Sequence, residues 1–468
     1  MTDKSRRTRL AASVAAGKAV TQLSRRLGAG AGSNFPGRVV LRLYPEAPEE
    51  MAASLAGGCV LVSGTNGKTT TSNLLAGMMR AGGMLPVHNR VGANLMTGIT
   101  AALAQASDRK GIPRGDIGLF EVDEATLPAA VRRLRPRLVI VTNLFRDQLD
   151  RYGELESLAR KMDAALKDLD GEAVVLLNAD DPLVASLGRD CPARIYYYGI
   201  EYAGVAEAGL RHAADSKHCR ECGSPLDFKA NYFGHMGKYS CPGCGAARPP
   251  VDFAATHIEL SGTRGSRVRL STPRWQGELF LGLPGLYNVH NLLAASGCAQ
   301  LLGLDREAVE RGVEGYSTAF GRGERIPVGG RDLFLVLSKN PTGFNEVIRT
   351  LRGEGTGLPL LAALNDRIAD GRDVSWIWDV DFEELAPLAR YLVATGTRAR
   401  DMALRMKYAG LHPSAIRVEP ELKRALRAAL EGADEGETVY ALTTYTATLD
   451  LRRLLTRMKA APGLWKEA

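Results

Sequence analysis

Nowhere in the 468 residues is there a run of the roughly 18 uncharged apolar residues that a membrane-spanning helix requires. No spanning anchor is expected. Internal repeats are absent as well, and no segment reads as disordered except the termini. Seven cysteines do not suit a disulfide scaffold. Four form two CxxC pairs, and Cys59, Cys191 and Cys298 lie in apolar stretches, an intracellular pattern. The basic start, MTDKSRRTRLAASVAAGKAVTQLSRRLGAGAG, lacks the unbroken apolar core of a signal peptide because Lys18 interrupts it. It reads as an amphipathic helix followed by a Gly-rich linker, with a helix lying on an anionic membrane surface as the alternative. The net charge of +8 admits nucleotides, phosphorylated substrates or anionic lipids as partners. It is too diffuse to indicate nucleic acid.

Hydrophobic residues make up 45% and charged residues 24%, as in an ordinary globular protein. The length calls for two or three domains. Apolar segments alternate with helical ones from GCVLVS at 58–63 through DIGLFEVDE, PRLVIVTNL and EAVVLLNADD. That alternation predicts an α/β fold built on a parallel, doubly wound sheet. A Cys-rich insert follows, then the β-like THIELSG, SRVRLST and GELFLGL, then a helix in PGLYNVHNLLAASGCAQLLGL. STAFGRGERIPVGG reads as a linker. Beyond it, RDLFLVLSK, LPLLAALND, VSWIWDV, YLVATG and ETVYALTTY alternate with helices as a second α/β domain. The expected division is 1–44 for the N-terminal basic helix and linker, 45–317 for an ATP-binding domain with the insert at about 215–250, and 318–468 for the last domain.

VSGTNGKTTTSNLL stands between a buried strand and a helix. Gly64 and Gly67 let the backbone wrap an anion, with Thr65 and Asn66 between them, and the helix N-terminus aims its free N–H groups at it. Lys68 reaches β and γ phosphates, the Thr69 hydroxyl suits Mg²⁺, and Thr70 continues the first turn. The bland alternative is a Gly turn before a helix. Gly-Lys-Thr-Thr after a buried strand favours phosphate.

The form GTNGKTTT resembles the ATP loop of the Mur ligase superfamily, which includes peptidoglycan precursor ligases and folylpolyglutamate synthases. The resemblance implies a P-loop ATPase domain followed by a Rossmann-like α/β domain. It also implies an acyl phosphate, made from a carboxylate and ATP, that an amine then attacks. In FEVDE, Glu121 matches the family's Mg²⁺-binding glutamate, a role that suits a carboxylate facing the γ-phosphate. Asp123 and Glu124 are alternatives that can equally cap the next helix. TNLFRDQLDRYGE matches through Asn143, Asp147 and Asp150, with Gln148 where the family has a histidine. GLYNVHNLLAA matches the adenine-side helix through Asn288 and Asn291. FGRGERI supplies Arg322 for ATP. LSKNPTGFN brings Lys339, Asn340 and Thr342 to the hinge of the last domain.

CRECGSPLDFKANYFGHMGKYSCPGC contributes Cys219, Cys222, Cys241 and Cys244, at zinc-ribbon spacing. Each CxxC turn aims two thiolates at one point, and four thiolates make a closed, structural Zn²⁺ site. Redox activity is the minor alternative. His218 and His235 read as surface histidines. A zinc-ribbon nucleic-acid-binding ATPase is a rival from another class, but the insert carries no dense basic and aromatic patch.

DGRDVSWIWDVDFEEL, residues 370–385, is the remaining peculiarity. The alternation of Val374, Trp376 and Trp378 predicts a strand with one apolar face. Together with the ribbon, SNFPGRVVLRLYP and FRDQLDRYGE, this run resembles the MurT family, the ligase subunits of lipid II isoglutaminyl synthase. The resemblance implies ATP-dependent amidation of the α-carboxyl of D-glutamate in the lipid II stem to D-isoglutamine. The implied partner is a GatD-like class I glutamine amidotransferase subunit that supplies ammonia, and nucleic acid is not a partner. An aspartate of the last domain is implied to orient the partner's catalytic histidine. Asp373 and Asp379 are the candidates, with Asp366 and Asp381 behind them. Asp373 is favoured because a flexible ADGRD loop could reach a partner. The tryptophans are expected to pack, with one of them at the partner interface as the alternative. A cytoplasmic chain at the inner membrane face is expected. The closest alternative is a stand-alone Mur or folylpolyglutamate-type amino-acid ligase.

Overall fold

The computed structural model describes residues 3–26, 34–89, 93–146, 154–207, 215–316 and 322–461. It opens with three helices, α1 (Asp3–Arg26), α2 (Phe35–Leu43) and α3 (Ala47–Ala53). The phosphate loop joins β1 (Cys59–Ser63) to α4 (Lys68–Ala81). Then come β2 (Pro86–His88), α5 (Met96–Ala106), β3 (Ile117–Glu121), β4 (Leu138–Val141), β5 (Val174–Asn178) and β6 (Arg194–Ile200). The insert contributes β7 (Asp227–Phe233) and β8 (Met236–Ser240). β9 (Phe253–Leu260), β10 (Ser266–Ser271) and β11 (Gln276–Leu281) complete the large sheet.

That sheet runs β11-β10-β9-β6-β5-β4-β1-β3-β2. From β2 to β9 neighbouring strands are parallel, and β10 and β11 are antiparallel additions. β1, β3 and β4 are buried at every position, as strands covered on both faces must be. One face packs against α4 and the helix Leu286–Leu301 through Leu74, Met78, Leu292 and Cys298. The other packs against the N-terminal helices, α5 and the helix Glu154–Lys167, through Leu10, Val40, Ile99 and Met162.

The last domain holds β12 (Arg322–Val328), β13 (Arg331–Leu337), β14 (Leu358–Ala363), β15 (Ala389–Thr395), β16 (Ile416–Val418) and β17 (Thr438–Thr443). Their order is β12-β13-β17-β14-β15-β16, parallel except for β12. The expected linker is therefore half strand. Residues 317–321 lie outside the described residues, and from Arg322 the chain pairs with β13 in register Val328↔Arg331. The Gly329-Gly330 turn, with positive φ at both residues, closes that hairpin.

The predicted strand VSWIWDV is a correction. Ser375–Asp379 is a 3₁₀ turn. Val374, Ile377 and Val380 are buried, and their spacing of three is the 3₁₀ period rather than the strand period of two. Both edges of β14, the strand that precedes this segment, are already taken by β15 and β17, so the segment cannot pair there. The buried Arg405 guanidinium holds the turn, donating to Ile377 O at 3.1 Å and Val380 O at 2.6 Å. Trp376 is buried against Phe344, while Trp378 is half exposed and lies under Arg405 beside Tyr408.

No helix among the described residues is long and apolar enough to cross a membrane. Arg349 ties the last domain to the insert by donating to Tyr232 O, and to the turn before the insert by donating to Val205 O. Glu354 accepts from Thr263 N at 2.6 Å, a second tie between the two halves of the chain.

Candidate active site

The carboxyl ends of β1, β3 and β4 converge on the phosphate loop. Gly64 has φ +125°, and a Cβ there would stand 2.3 Å from Thr142 Oγ1. Gly67 has φ +85°, and its Cβ would meet Asn291 Oδ1 at 2.1 Å. Any side chain at either position closes the cradle. The loop is braced from outside. Asn66 N donates to Asn143 Oδ1 at 2.8 Å, Asn143 Nδ2 returns to Asn66 O at 3.1 Å, and Phe145 N donates to Thr65 Oγ1 at 3.0 Å. These bonds fix the loop's backbone, so its N–H groups need no reorganisation to face an anion.

Thr69 Oγ1 donates to Glu121 Oε2 at 2.8 Å. Glu121 is buried at the end of β3, where its N–H donates to Asn89 Oδ1 and its carbonyl accepts from Asn89 Nδ2, both at 2.8 Å. Lys68 Nζ folds back onto Gly64 O, onto Thr65 O at 3.2 Å and onto Glu124 Oε2 at 3.2 Å. Asp123 instead accepts from Ala125 N at 3.0 Å, in the turn that enters the next helix. Of the two further acids of FEVDE, Glu124 is thus the one that faces the lysine. Nothing local in the sequence distinguished them. Thr70 is buried in the first turn.

Asn288 and Asn291 are both buried. Asn291 Nδ2 donates to Asn288 Oδ1 at 2.9 Å, and Thr71 Oγ1 donates to Asn291 Oδ1 at 3.3 Å. They join the helix Leu286–Leu301 to α4 beside Gly67. Arg322 opens β12, and Lys339 lies half buried between β13 and the helix Pro341–Arg352, which Asn340 caps through Gly343 N at 2.8 Å. Asp147, Gln148 and Asp150 lie outside the described residues.

The four cysteines meet. Their sulfurs all lie within 4.8 Å of one another, with Cys219 to Cys244 at 3.6 Å and Cys222 to Cys241 at 3.4 Å. A tetrahedral zinc with bonds of about 2.3 Å spaces its sulfurs at about 3.8 Å, so the cluster fits that ion. His218 is exposed as expected, but His235 is a correction. It is fully buried at the tip of the β7–β8 hairpin, 4.5 Å from the Phe145 ring and with Nε2 3.3 Å from Asp181 Oδ2. Burial alone would lower its pKa, and the Asp181 carboxylate outweighs that and raises it. Asp181 also accepts from Leu144 N at 2.8 Å, so the insert's hairpin abuts the segment that braces the phosphate loop.

Beside it, fully buried Asp180 receives His290 Nε2 at 2.8 Å, Arg248 Nε at 2.6 Å and Ile200 N at 2.8 Å. Burial would raise this carboxyl's pKa, but His290 and Arg248 prevail and hold it below the ordinary value.

In the last domain the ADGRD loop is tied down, against the expectation of flexibility. Asp370 Oδ1 accepts from Thr446 N at 2.7 Å, and the Thr446 hydroxyl donates to Oδ2 at 2.5 Å. Asp373 accepts from Ser375 N at 2.8 Å and Ser375 Oγ at 2.9 Å, capping the 3₁₀ turn. Those two donors hold its carboxyl below the usual range, so it is ionised at neutral pH. Asp379 is exposed at the far end of the turn. Asp366 pairs with Thr397 at 2.7 Å, and Asp381 with Asn345 Nδ2 at 2.9 Å.

Residues 337–448 match the model of the MurT ligase C-terminal domain, and residues 62–236 that of the Mur ligase middle domain. The chain is 33% identical to the Streptococcus pneumoniae lipid II isoglutaminyl synthase (glutamine-hydrolyzing) subunit MurT, over 91% of this chain and 93% of that protein. The chain belongs to the MurT family. The MurT subunit of Staphylococcus aureus strain N315 is 31% identical over the same shares. Among solved structures, a pseudomurein peptide ligase type C from Methanothermus fervidus superposes with a TM-score of 0.65 at 22% identity, covering 86% of this chain and 79% of that one. MurF ligase from Thermotoga maritima, in complex with ADP, superposes at 0.61 with 13% identity, covering 91% and 85%. The Mur ligase α/β fold is thereby established, with sheets that are mixed rather than wholly parallel.

Proposed function

We propose that this chain is the ATP-consuming subunit of a lipid II isoglutaminyl synthase. It activates the α-carboxyl of D-glutamate in the lipid II stem as an acyl phosphate. Ammonia from a GatD-like glutaminase partner then displaces phosphate and leaves D-isoglutamine. The observation that carries this reading is the Thr69–Glu121 contact beside the braced loop 64–67, in a chain of the MurT family.

The loop's N–H groups and the N-terminus of α4 take the β and γ phosphates of ATP. Lys68 leaves Glu124 for the phosphates, a flexible ammonium exchanging one anion for another. Thr69 and Glu121 are the residues that would hold Mg²⁺, whose charge would offset that gathering on the transferred phosphoryl group. Asn143, Asn288 and Asn291 keep the cradle in shape, and Arg322 and Lys339 complete the ATP site from the last domain. Cys219, Cys222, Cys241 and Cys244 would hold a structural Zn²⁺, since the four-sulfur set leaves no position open for chemistry. Asp373, ionised and set at the start of the 3₁₀ turn, serves as the acid that orients the partner's histidine, with Asp379 as the other candidate. The reaction takes place at the cytoplasmic face, where the lipid-linked substrate is held.

The test combines purified chain, ATP, Mg²⁺ and lipid II with ammonium chloride, with glutamine, or with glutamine plus the glutaminase. Phosphate release is followed, and the product is weighed. A loss of about one dalton per stem, supported by ammonium alone and by glutamine only with the partner, is expected, because –OH is replaced by –NH₂. A gain of an amino-acid residue without a partner would make the chain a conventional Mur-type ligase.

A further inference from the structure

The chain's excess charge is confined to its first 44 residues. They hold nine lysines and arginines against one acid, Asp3, which nets +8, the same value as the whole chain with its 60 basic and 52 acidic residues. Residues 45–468 therefore sum to zero. The structure turns this sequence asymmetry into a surface. α1 and α2 pack together, with Gly17 against Val40 and Pro36. Arg6, Arg7 and Arg9 of α1 and Arg38 and Arg42 of α2 are exposed. Large apolar side chains stand among them. Phe35 is 58% exposed, Leu43 56% and Leu23 59%, although α2 buries Pro36, Gly37 and Val40 in the ordinary way.

Exposed aromatic and aliphatic side chains beside arginines, on helices almost without acids, match the chemistry of an anionic bilayer surface. We propose that the outer side of α1 and α2 is a docking surface for anionic lipid. The apolar tips of Phe35 and Leu43 enter the headgroup layer, and the arginines meet the lipid phosphates. The platform is rigidly joined to the enzyme. Lys18 Nζ donates to Ser107 O and Gln105 Nε2 to Thr21 Oγ1 at 2.6 Å, so α1 is bonded to α5 and the residue after it. The loop that enters α5 is in turn tied to the site, since Asn89 bonds both Ala93 O and the backbone of Glu121. Docking here would set the phosphate loop at a fixed height above the membrane. This extends the lipid-linked substrate of the proposed function, but its physical basis is charge and exposure alone.

The experiment sediments the full chain with vesicles of phosphatidylcholine, alone or with about a third phosphatidylglycerol, at low and high salt. The vesicles contain no lipid II, so failure of the amidation reading leaves the result untouched. Binding to the anionic vesicles alone, released by salt, is expected. Each arginine at such a surface contributes roughly fivefold, so the Arg38→Ser/Arg42→Ser double variant should partition roughly 25-fold less. Arg38→Lys/Arg42→Lys should retain binding, and Phe35→Ser/Leu43→Ser should weaken it. Matching melting temperatures show that the fold is kept. Equal binding to both vesicle types, no binding, or an unaffected Arg38→Ser/Arg42→Ser variant overturns the proposal. So does preferential retention on an RNA or DNA homopolymer.

Discussion

The hydroxyl of Thr69 and the carboxylate of Glu121 meet at 2.8 Å, although 52 residues separate them. The contact joins the first turn of α4 to the end of β3, where a metal–phosphate complex would form. Removing either oxygen should lower turnover without unfolding the chain. Glu121→Gln and Thr69→Ala are each expected to reduce ammonium-supported phosphate release by roughly 10²-fold or more. The Mg²⁺ concentration for half activity should also rise in both. Unchanged Mg²⁺ dependence in both variants would remove these residues from the metal site.

Lys68 and Glu124 form a resting ion pair at 3.2 Å, with side chains 11% and 12% exposed. ATP must break it. Glu124→Gln should therefore bind ADP or ATP more tightly, by roughly threefold to tenfold. Calorimetry on the purified chain checks this. Weaker nucleotide binding in that variant would mean that Glu124 helps to build the site rather than competing for its lysine.

Asp180 should make stability depend on acid. Its folded-state pKa lies below the ordinary carboxylate value, so its contribution is full above about pH 4 and is lost as pH falls through the folded value. Asp180→Asn should cost about 3 kcal/mol at neutral pH, because it removes the carboxylate charge and one of the two oxygens that buried Arg248 and His290 share, although Arg248 keeps Glu201 Oε1 at 2.7 Å. The gap between the two proteins should narrow as pH falls below 4. Melting temperatures over a pH series would show it, and a gap independent of pH would exclude the charge of Asp180 as its source.

The four-cysteine cluster predicts one zinc per chain. Chelation, or Cys241→Ser, should release it and lower the melting temperature. Through His235 and Asp181 the hairpin abuts the loop's brace, so the apparent KM for ATP should also rise. Metal analysis together with KM decides. Zinc loss with an unchanged KM would confine the cluster to local stability.

Asp373→Asn should abolish glutamine hydrolysis by the assembled pair and spare both complex formation and ammonium-driven turnover. If Asp379→Asn has that effect instead, the acid at the far end of the 3₁₀ turn is the functional one. Asp370→Ala should impair hydrolysis less severely, by loosening the loop that Thr446 now anchors.

Much of this was legible along the chain, because its signals are local. The phosphate loop needs glycines, a lysine and a threonine at adjacent positions between strand and helix. The CxxC pairs carry their own turns, so the spacing alone groups Cys219, Cys222, Cys241 and Cys244. Most strands of both α/β units announced themselves as short apolar runs.

What the tertiary structure alone decided depends on contacts distant in sequence. Whether Asp123 or Glu124 faces Lys68 rests on how β3 meets α4. Asp370 is anchored by Thr446, 76 residues away, so a loop rich in Gly and Asp is held rather than free. His235 follows a glycine at a hairpin tip, a position that usually faces water, yet Phe145 and Asp181 enclose it. VSWIWDV alternates like a strand, but both edges of β14, the strand that precedes it, are already taken. Local spacing determines what a segment can form. Which of those forms is realised depends on which partners the rest of the chain has already brought within bonding distance.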